Sequence, residues 1–232
     1  MKFTKKLLSL ALLGTIALNM VACGNNAQTS VPAEPQKTIT ITSYNANKEL
    51  TQVDVPFDPQ RIAVMDMPAL DIIDALGLGD RVVGSSAVSI GYLSQYNPDD
   101  SEGRIINLGT LKTADMEKVA ASQPDIIFIG GRLSSVYDQL SAIAPVVYLG
   151  VDYDKGVVES AKANAQTIAS IFGKEAEVEN MFSNIQPRID ALNSLINGKN
   201  VLLAMYNSNT LGLMDTKAQL NISAKMSLDA RC

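Results

Sequence analysis

The order of segments between residues 61 and 151 is the strongest constraint on the fold, because apolar strand-type runs alternate with helix-type runs. The strand-type runs are "RIAVMD", "RVVGSS", "RIINLGT", "PDIIFIGG" and "PVVYLGV". In the helix-type run "MPALDIIDALGL", Leu70, Ile73 and Leu76 fall on one face. "DMEKVAASQ" and "SSVYDQLSAIA" predict further helices. Nearly continuous apolar strands alternating with helices are typical of a parallel sheet covered on both faces, so we predict an α/β fold.

Further periodic segments lie on either side of this region. "KTITITSY" alternates with period two and "LTQVDVPFD" returns beside it, which predicts a hairpin. Two helical patterns follow, over residues 157–172 and 175–196, and Pro187 should kink or divide the second. "GKNVLLAMYN" predicts one more buried strand, after which periodicity is weak. We therefore assign residues 37–155 to an α/β lobe and residues 156–198 to connecting helices.

The first residues have the pattern of a secretion signal. "MKFTKK" is a basic stretch, "LLSLALLGTIAL" is apolar, and "NMVAC" follows. The motif Val21-Ala22-Cys23 resembles a bacterial lipobox, with Met20 where Leu is commoner. We predict a signal peptide over residues 1–22 and a lipidated, flexible tether over residues 23–36, anchored through Cys23. The alternative is an ordinary signal peptide that contains a cysteine.

Composition argues against several classes of function. The formal charge of −5 with only 19 Lys and Arg residues gives no basic surface for nucleic acid. The chain contains no histidine, which argues against a catalytic triad and against a histidine-ligated zinc or manganese site. Two cysteines, one of them assigned to the lipid, leave no disulfide framework. We expect a binding protein rather than an enzyme, with no metal ligands and no cofactor of its own.

Ligands of open parallel sheets gather beyond the carboxyl ends of the strands. The loops there begin at Asp66-Met67, Ser85-Ser86, Thr110-Leu111-Lys112 and Gly131-Arg132. Two of these loops present a cation, Lys112 and Arg132, which makes both residues candidates for contact with a ligand. For Arg132 the alternative is a surface pair with Asp138 or Asp99, and for Lys112 it is a solvated loop lysine.

Three more residues near these loops carry expectations. Met67 and Tyr92 could line a cleft, although packing is the commoner role of both residue types. Ser135 has the position of a helix cap before Asp138, so we expect it to start the next helix. Gly130 and Gly131 allow the chain to turn sharply and to project Arg132 from the sheet edge.

The lipobox, the hairpin, "LGTLKTADMEKVAASQPDIIFIGGR", "YDQLSAIAPVVYLGVD" and "ESAKANAQTIASIFGK" together resemble the iron–siderophore-binding lipoproteins of ABC importers. The likeness runs from about Cys23 to Asn207 and favours the catecholate subgroup, which takes ligands such as petrobactin. It implies the helical-backbone (class III) periplasmic-binding fold, with the ligand between two lobes joined by a long helix. Residues 199–232 then correspond only to the start of the C-lobe, and we expect a truncated or frameshifted product.

The resemblance also implies roles for single residues and partners. Arg132 and Lys112 fall on positions that hold the anionic ferric siderophore, and Glu117 falls where relatives pair with arginines of the permease. The implied partners are an ABC permease and its ATPase, at the extracytoplasmic face of a Gram-positive cell membrane. The alternative is that Glu117 has no partner and is simply a glutamate at the start of a helix, where the helix dipole favours a negative charge. Other readings are a one-lobed relic or surface interaction lipoprotein that does not transport, and a cobalamin- or haem-binding member of the same class.

Overall fold

A computed structural model describes residues 37–88, 90–196, 204–207 and 210–213. The strands are β1 Thr38–Tyr44, β2 Leu50–Pro56, β3 Ile62–Met65, β4 Val82–Ser85, β5 Ile106–Asn107, β6 Ile126–Ile129, β7 Val146–Tyr148, β8 Ala204–Asn207 and β9 Thr210–Leu213. The α-helices are α1 Met67–Ala75, α2 Met116–Ala121, α3 Tyr137–Ser141, α4 Val157–Phe172, α5 Glu175–Ser183 and α6 Ile185–Ile196. The signal, tether and Cys23 assignments fall outside the described residues.

The predicted parallel sheet is confirmed, with five strands in the order β5-β4-β3-β6-β7. All four neighbouring pairs are parallel. From β3 the chain adds β4 and β5 on one side, and then crosses over to add β6 and β7 on the other. The direction of winding therefore reverses between β3 and β6, which makes this pair the topological switch point of the sheet.

Buried side chains form one apolar cluster on each face of this sheet. Ile62 and Val64 of β3 belong to the larger cluster, and Ala63 and Met65 belong to the smaller one. Helices α1 and α4 contribute to the larger cluster, while α2 and α3 contribute to the smaller. Because both faces are covered, every residue of β3, β6 and β7 is buried, as continuous apolar strands require.

The helices begin and end at residues with recognisable local chemistry. In α1, the side chain of Asp66 caps the first turn, and Leu70 and Ile73 lie on the buried face, as predicted. Helix α4 ends at Gly173, which takes the left-handed conformation at φ 65°. Its bounds match the predicted range of residues 157–172. None of the helices in the described ranges combines the length and the apolarity that crossing a membrane would require.

Three local expectations have mixed outcomes. The helical pattern over residues 175–196 is divided, as predicted, but the break comes at Asn184. Pro187 lies instead in the first turn of α6, where a backbone N–H would have no partner within the helix. The Ser135 cap was wrong, because a 3₁₀-helix occupies Gly131–Val136 and α3 starts only at Tyr137. The strand expected in "GKNVLLAMYN" is present as β8, where it pairs antiparallel with β9.

A buried hydroxyl helps to attach the predicted hairpin of β1 and β2 to the sheet. The Ser43 hydroxyl accepts a hydrogen bond from the Tyr148 N–H (2.9 Å) and donates one to the Tyr148 carbonyl (3.2 Å). The rings of Tyr44 and Tyr148 lie 5.2 Å apart, next to this contact. The Ser43 side chain thus provides hydrogen-bond partners for the backbone N–H and C=O of Tyr148 at the edge strand β7.

Replacing Ser43 by Ala should leave both backbone groups of Tyr148 without a partner at a buried position. We expect the free energy of unfolding to fall by about 1–3 kcal/mol, measured by urea denaturation. Ser141→Ala, at an exposed serine at the end of α3, is the matched control and should change stability little. An equal effect of both substitutions would contradict the role given to Ser43.

Candidate anion-binding site

The switch point of the sheet brings two loops together. In the parallel register, Met65 of β3 lies opposite Ile129 of β6, so Asp66 and Gly130 leave the sheet side by side. Ligands of open α/β sheets bind in the crevice at such a point, beyond the carboxyl ends of the strands. The crevice is therefore built from the loop that starts α1 and the loop that carries Arg132.

The side chain of Asp66 packs directly against the backbone of Gly130. One carboxylate oxygen of Asp66 accepts a hydrogen bond from the Ala69 N–H (3.1 Å), which caps α1. The other oxygen occupies the space where a Cβ on residue 130 would lie, so any larger residue at Gly130 would overlap it. The close approach of the two loops accordingly depends on a glycine at this position.

Asp66 is half-buried, and its environment acts on its charge. Burial raises the pKa of the carboxyl, and the hydrogen bond from Ala69 and the positive charge of Arg132 oppose this rise. Because the pKa is raised in the folded protein, the ionised carboxylate costs stability at neutral pH. That cost decreases as the pH falls below the folded pKa, and it is gone below the ordinary carboxyl pKa of 3.8. The structure keeps a carboxylate here despite the cost of burying it.

Arg132 lies in the 3₁₀-helix that follows β6, and its side chain is exposed. The turn is fixed by the hydrogen bond from the Leu133 N–H to the Gly130 carbonyl (3.0 Å) and by burial of the Leu133 side chain. The ion pairs found among the described residues do not include Arg132, so the alternative of a surface pair with Asp138 or Asp99 is not observed. The guanidinium donors face solvent at the crevice.

Another arginine of the same sheet is used quite differently. Arg61 precedes β3 at the amino edge, and its guanidinium donates to the carbonyls of Gln123 (2.7 Å) and Ser122 (2.6 Å). Those bonds tie the start of β3 to the turn before β6. The fold thus uses arginine as a structural donor at one edge and leaves Arg132 without such a partner at the other, among the residues that the structure describes.

Lys112 is presented by a well-defined turn after β5. The Thr110 N–H donates to the Thr113 carbonyl (2.8 Å), and the Thr110 hydroxyl accepts from the N–H groups of Lys112 (3.2 Å) and Thr113 (3.0 Å). Leu111 packs against the larger core cluster, while Lys112 is exposed. The lysine thus sits on an anchored loop, with its stem directed away from the core.

The two cations lie on opposite sides of the switch point at the same sheet edge. Strands β5 and β6 are three strand spacings apart, which is roughly 14 Å for neighbouring strands about 4.8 Å apart. At this spacing of the strands, a ligand that contacts both loops has to reach across several strands.

Met67 and Tyr92 have surroundings that favour other roles. Met67 is 9% exposed and packs in the larger cluster, which leaves little of its surface for a ligand. Tyr92 is 65% exposed, and the negative charge of Asp71 raises the pKa of its hydroxyl. Since Tyr92 stands beside carboxylates of α1, its surroundings are unfavourable to an anion.

Glu117 lies in the first turn of α2 and is exposed. The helix is capped by Asp115, whose side chain accepts from the Lys118 N–H (3.1 Å) and pairs with the Lys118 ammonium (3.5 Å). No ion pair within the described ranges uses Glu117. Its carboxylate is therefore available to a partner on the surface of the lobe.

Three residues at the crevice were not predicted to take part. Asp66 was recognisable only as the start of a loop, although its place before Met67-Pro68 is typical of a helix cap. The hydroxyl of Tyr148 lies 2.8 Å from where a Cβ on Gly131 would be. Ser86, after β4, has a buried hydroxyl with no hydrogen-bond partner in the described structure. Like Asp66, Ser86 was recognisable only as part of a loop after a strand, and no sequence signal marks Tyr148, because its role arises from contacts across the sheet.

Within the residues that the structure describes, no group of three or more His, Cys, Asp or Glu side chains is arranged to hold a metal ion. The polar groups described above at the carboxyl edge of the sheet are instead the Asp66 carboxylate, the Arg132 guanidinium, the Lys112 ammonium and the hydroxyls of Tyr148 and Ser86. This set suits recognition of an anionic molecule by charge and hydrogen bonding.

Comparison with known proteins gives consistent relatives. The chain is 34% identical over 219 residues to the petrobactin-binding protein YclQ of Bacillus subtilis (strain 168), covering 93% of this chain and 66% of the relative. It is 26% identical over 191 residues to the "probable siderophore-binding lipoprotein YfiY" of the same organism, covering 81% of this chain and 55% of the relative. The chain thus spans less than two thirds of the length of either relative.

Solved structures give the same result. The crystal structure of YclQ from Bacillus subtilis aligns with a TM-score of 0.70 and 35% identity, covering 78% of this chain and 62% of that one. The iron uptake ABC transporter substrate-binding protein PiuA of Streptococcus pneumoniae Canada MDR_19A aligns with a TM-score of 0.67 and 26% identity, covering 79% and 62%.

The family model described as "Periplasmic binding protein" (Peripla_BP_2) matches residues 62–214, from the first residue of β3 to just past the end of β9. That match takes in more than half of the chain and includes all five strands of the parallel sheet. The chain belongs to this periplasmic binding protein family.

Proposed function

We propose that this protein is the substrate-binding component of an ABC importer and captures an anionic ferric siderophore. The observation that carries the proposal is Arg132, an exposed guanidinium at the topological switch point with no ion-pair partner among the described residues. Binding without chemical conversion is the role, in keeping with relatives that are named as binding proteins. In this proposal residues 37–155 form the ligand-binding lobe, and residues 156–198 connect it to the segment that contains β8 and β9.

A ferric catecholate fits the charges and the spacing of the site. Three doubly ionised catechols around one ferric ion leave a bulky complex with a net charge of about three minus, and arginine can both pair with such an anion and stack on its rings. The spacing of strands β5 and β6, which precede the loops of Lys112 and Arg132, would allow a ligand of this size to contact both loops. The petrobactin-binding relative supports a ligand of the catecholate class.

The partners and the location belong to the same proposal. We infer an ABC permease and its ATPase as partners, with Glu117 on the exposed start of α2 as a docking residue for arginines of the permease. Cys23 would carry the lipid that holds the protein at the extracytoplasmic face of the membrane. The lipoprotein relative YfiY supports this assignment.

Loss of the guanidinium should weaken ligand binding. We expect Arg132→Gln to raise the Kd for ferric tris-catecholate about tenfold or more, because one charge-assisted hydrogen bond to the anion contributes about 1.5–3 kcal/mol. The measurement is quenching of the intrinsic tyrosine fluorescence of the purified protein during titration with the complex.

The matched control for that substitution is Arg188→Gln, which removes the same charge from an exposed position on α6. It should leave the Kd unchanged within about twofold, since an exposed charge away from the site is screened by salt. Equal weakening by both substitutions would show that net charge, rather than the crevice, governs binding.

The two cysteines of the chain provide an internal test of lipidation. In a Gram-positive host fed an alkyne-bearing fatty acid, the wild type and Cys232→Ala should incorporate the label, and Cys23→Ala should not. Labelling is read by in-gel fluorescence after coupling to a dye. Label retained in Cys23→Ala would contradict the proposed anchor.

A further inference from the structure

The proposed function does not account for the carboxylate of Asp66, which lies near Arg132. Asp66 leaves the sheet beside Gly130, two residues before Arg132, at the switch point. An anionic ligand at this crevice therefore approaches a guanidinium and a fixed carboxylate at once. A negative group next to an anion site opposes binding, so the presence of Asp66 here needs an explanation.

The geometry shows how Asp66 is held in place. One oxygen is bound to the Ala69 N–H, and the other fills the space left by the missing side chain of Gly130. Either a serine or an asparagine in place of Asp66 would serve as the cap equally well, since both are favourable at this position. Capping alone therefore does not account for a charged residue here.

Asp66 and Arg132 interact through space rather than by direct contact. The positive charge of Arg132 lowers the pKa of the Asp66 carboxyl, yet the two do not form an ion pair or a hydrogen bond in the described structure. The carboxylate thus reduces the positive potential at Arg132 while leaving the guanidinium donors free. The charged or titratable groups that act on the Asp66 carboxyl, or on which it acts, are Arg132 and Tyr148. The pKa of the Tyr148 hydroxyl is raised by burial, by Tyr44 and by Asp66.

We propose that Asp66 is a built-in counter-charge of Arg132 that weakens anion binding at the crevice and thereby sets the affinity at which the ligand is held and released. Asp66 acts through Arg132 and does not touch the ligand itself, so it is a positioning residue of the site. This inference rests on the proposed function, because it requires that an anion binds beside Arg132.

The sign of the effect distinguishes this role from a purely structural one. Asp66→Asn retains a capping oxygen and nearly the same shape but removes the charge, so we expect it to bind ferric tris-catecholate about threefold to tenfold more tightly than the wild type. A structural residue would weaken binding when replaced. Tighter binding by a variant of a half-buried, capping residue is a result that a purely structural role does not predict.

Salt dependence gives a second readout. Without the counter-charge the ligand meets a more positive site, so the affinity of Asp66→Asn should fall more steeply than that of the wild type between about 50 and about 300 mM NaCl at constant pH. The measurement is the same fluorescence titration, repeated at several salt concentrations. Parallel salt slopes together with equal affinities would overturn the inference.

Two further variants keep the test decisive. Asp66→Ser is also an uncharged cap, so it should reproduce the tighter binding even if Asp66→Asn fails to fold. Asp71→Asn removes a carboxylate from an exposed position on the same helix, and it should change the Kd less than either Asp66 variant. Affinity gains of the same size in Asp71→Asn would attribute the effect to net charge and overturn the proposal.

Failure of this inference can be separated from failure of the proposed function. If the wild type binds ferric tris-catecholate and Arg132→Gln weakens it, but the uncharged Asp66 variants bind as the wild type or more weakly, only the counter-charge is refuted. If neither the wild type nor the Asp66 variants bind the complex, the proposed function fails and the counter-charge fails with it.

Discussion

The parallel pairing of β3 with β6 is the constraint on which the rest of the structure depends. Four consecutive pairs of residues, from Ile62 and Ile126 to Met65 and Ile129, lie opposite each other in the centre of the sheet. Every one of these residues is buried, with alternate side chains in the two apolar clusters. A slip of one residue would exchange the two faces, so the register is held by burial on both sides.

This register also determines which side chains meet at the carboxyl edge. It places Asp66 against Gly130 and sets Arg132 at the mouth of the crevice, while the turn after β5 presents Lys112 farther along the same edge. At the amino edge, Asp125 accepts from the backbone N–H groups of Gln60 (2.8 Å) and Arg61 (2.9 Å), which closes that end with structural bonds. The sheet therefore has one edge whose polar groups stabilise it and one whose cations remain available.

The features of this arrangement that depend on neighbouring residues in the chain could be predicted from the sequence. Strand and helix order, the bounds of α4 and the two cations follow from hydrophobic periodicity and from loop position, and the structure agrees with the order and the bounds. The cap at Ser135 was wrong because the chain forms a 3₁₀-helix over Gly131–Val136, in which Leu133 is buried. The fit of Asp66 to Gly130 and the bonds of Ser43 to Tyr148 join residues that are 64 and 105 positions apart, and no local pattern encodes them.

The central claim is that an anionic ligand binds at the carboxyl edge on both sides of the switch point. Backbone amide NMR of the isotope-labelled protein, titrated with the diamagnetic gallium(III) tris-catecholate complex, tests it most directly because every loop reports separately. We predict the largest shift changes in the turn around Lys112, at Asp66 and in the 3₁₀-helix that contains Arg132. Changes concentrated in α5 and α6, or at the amino edge around Arg61, would contradict the claim.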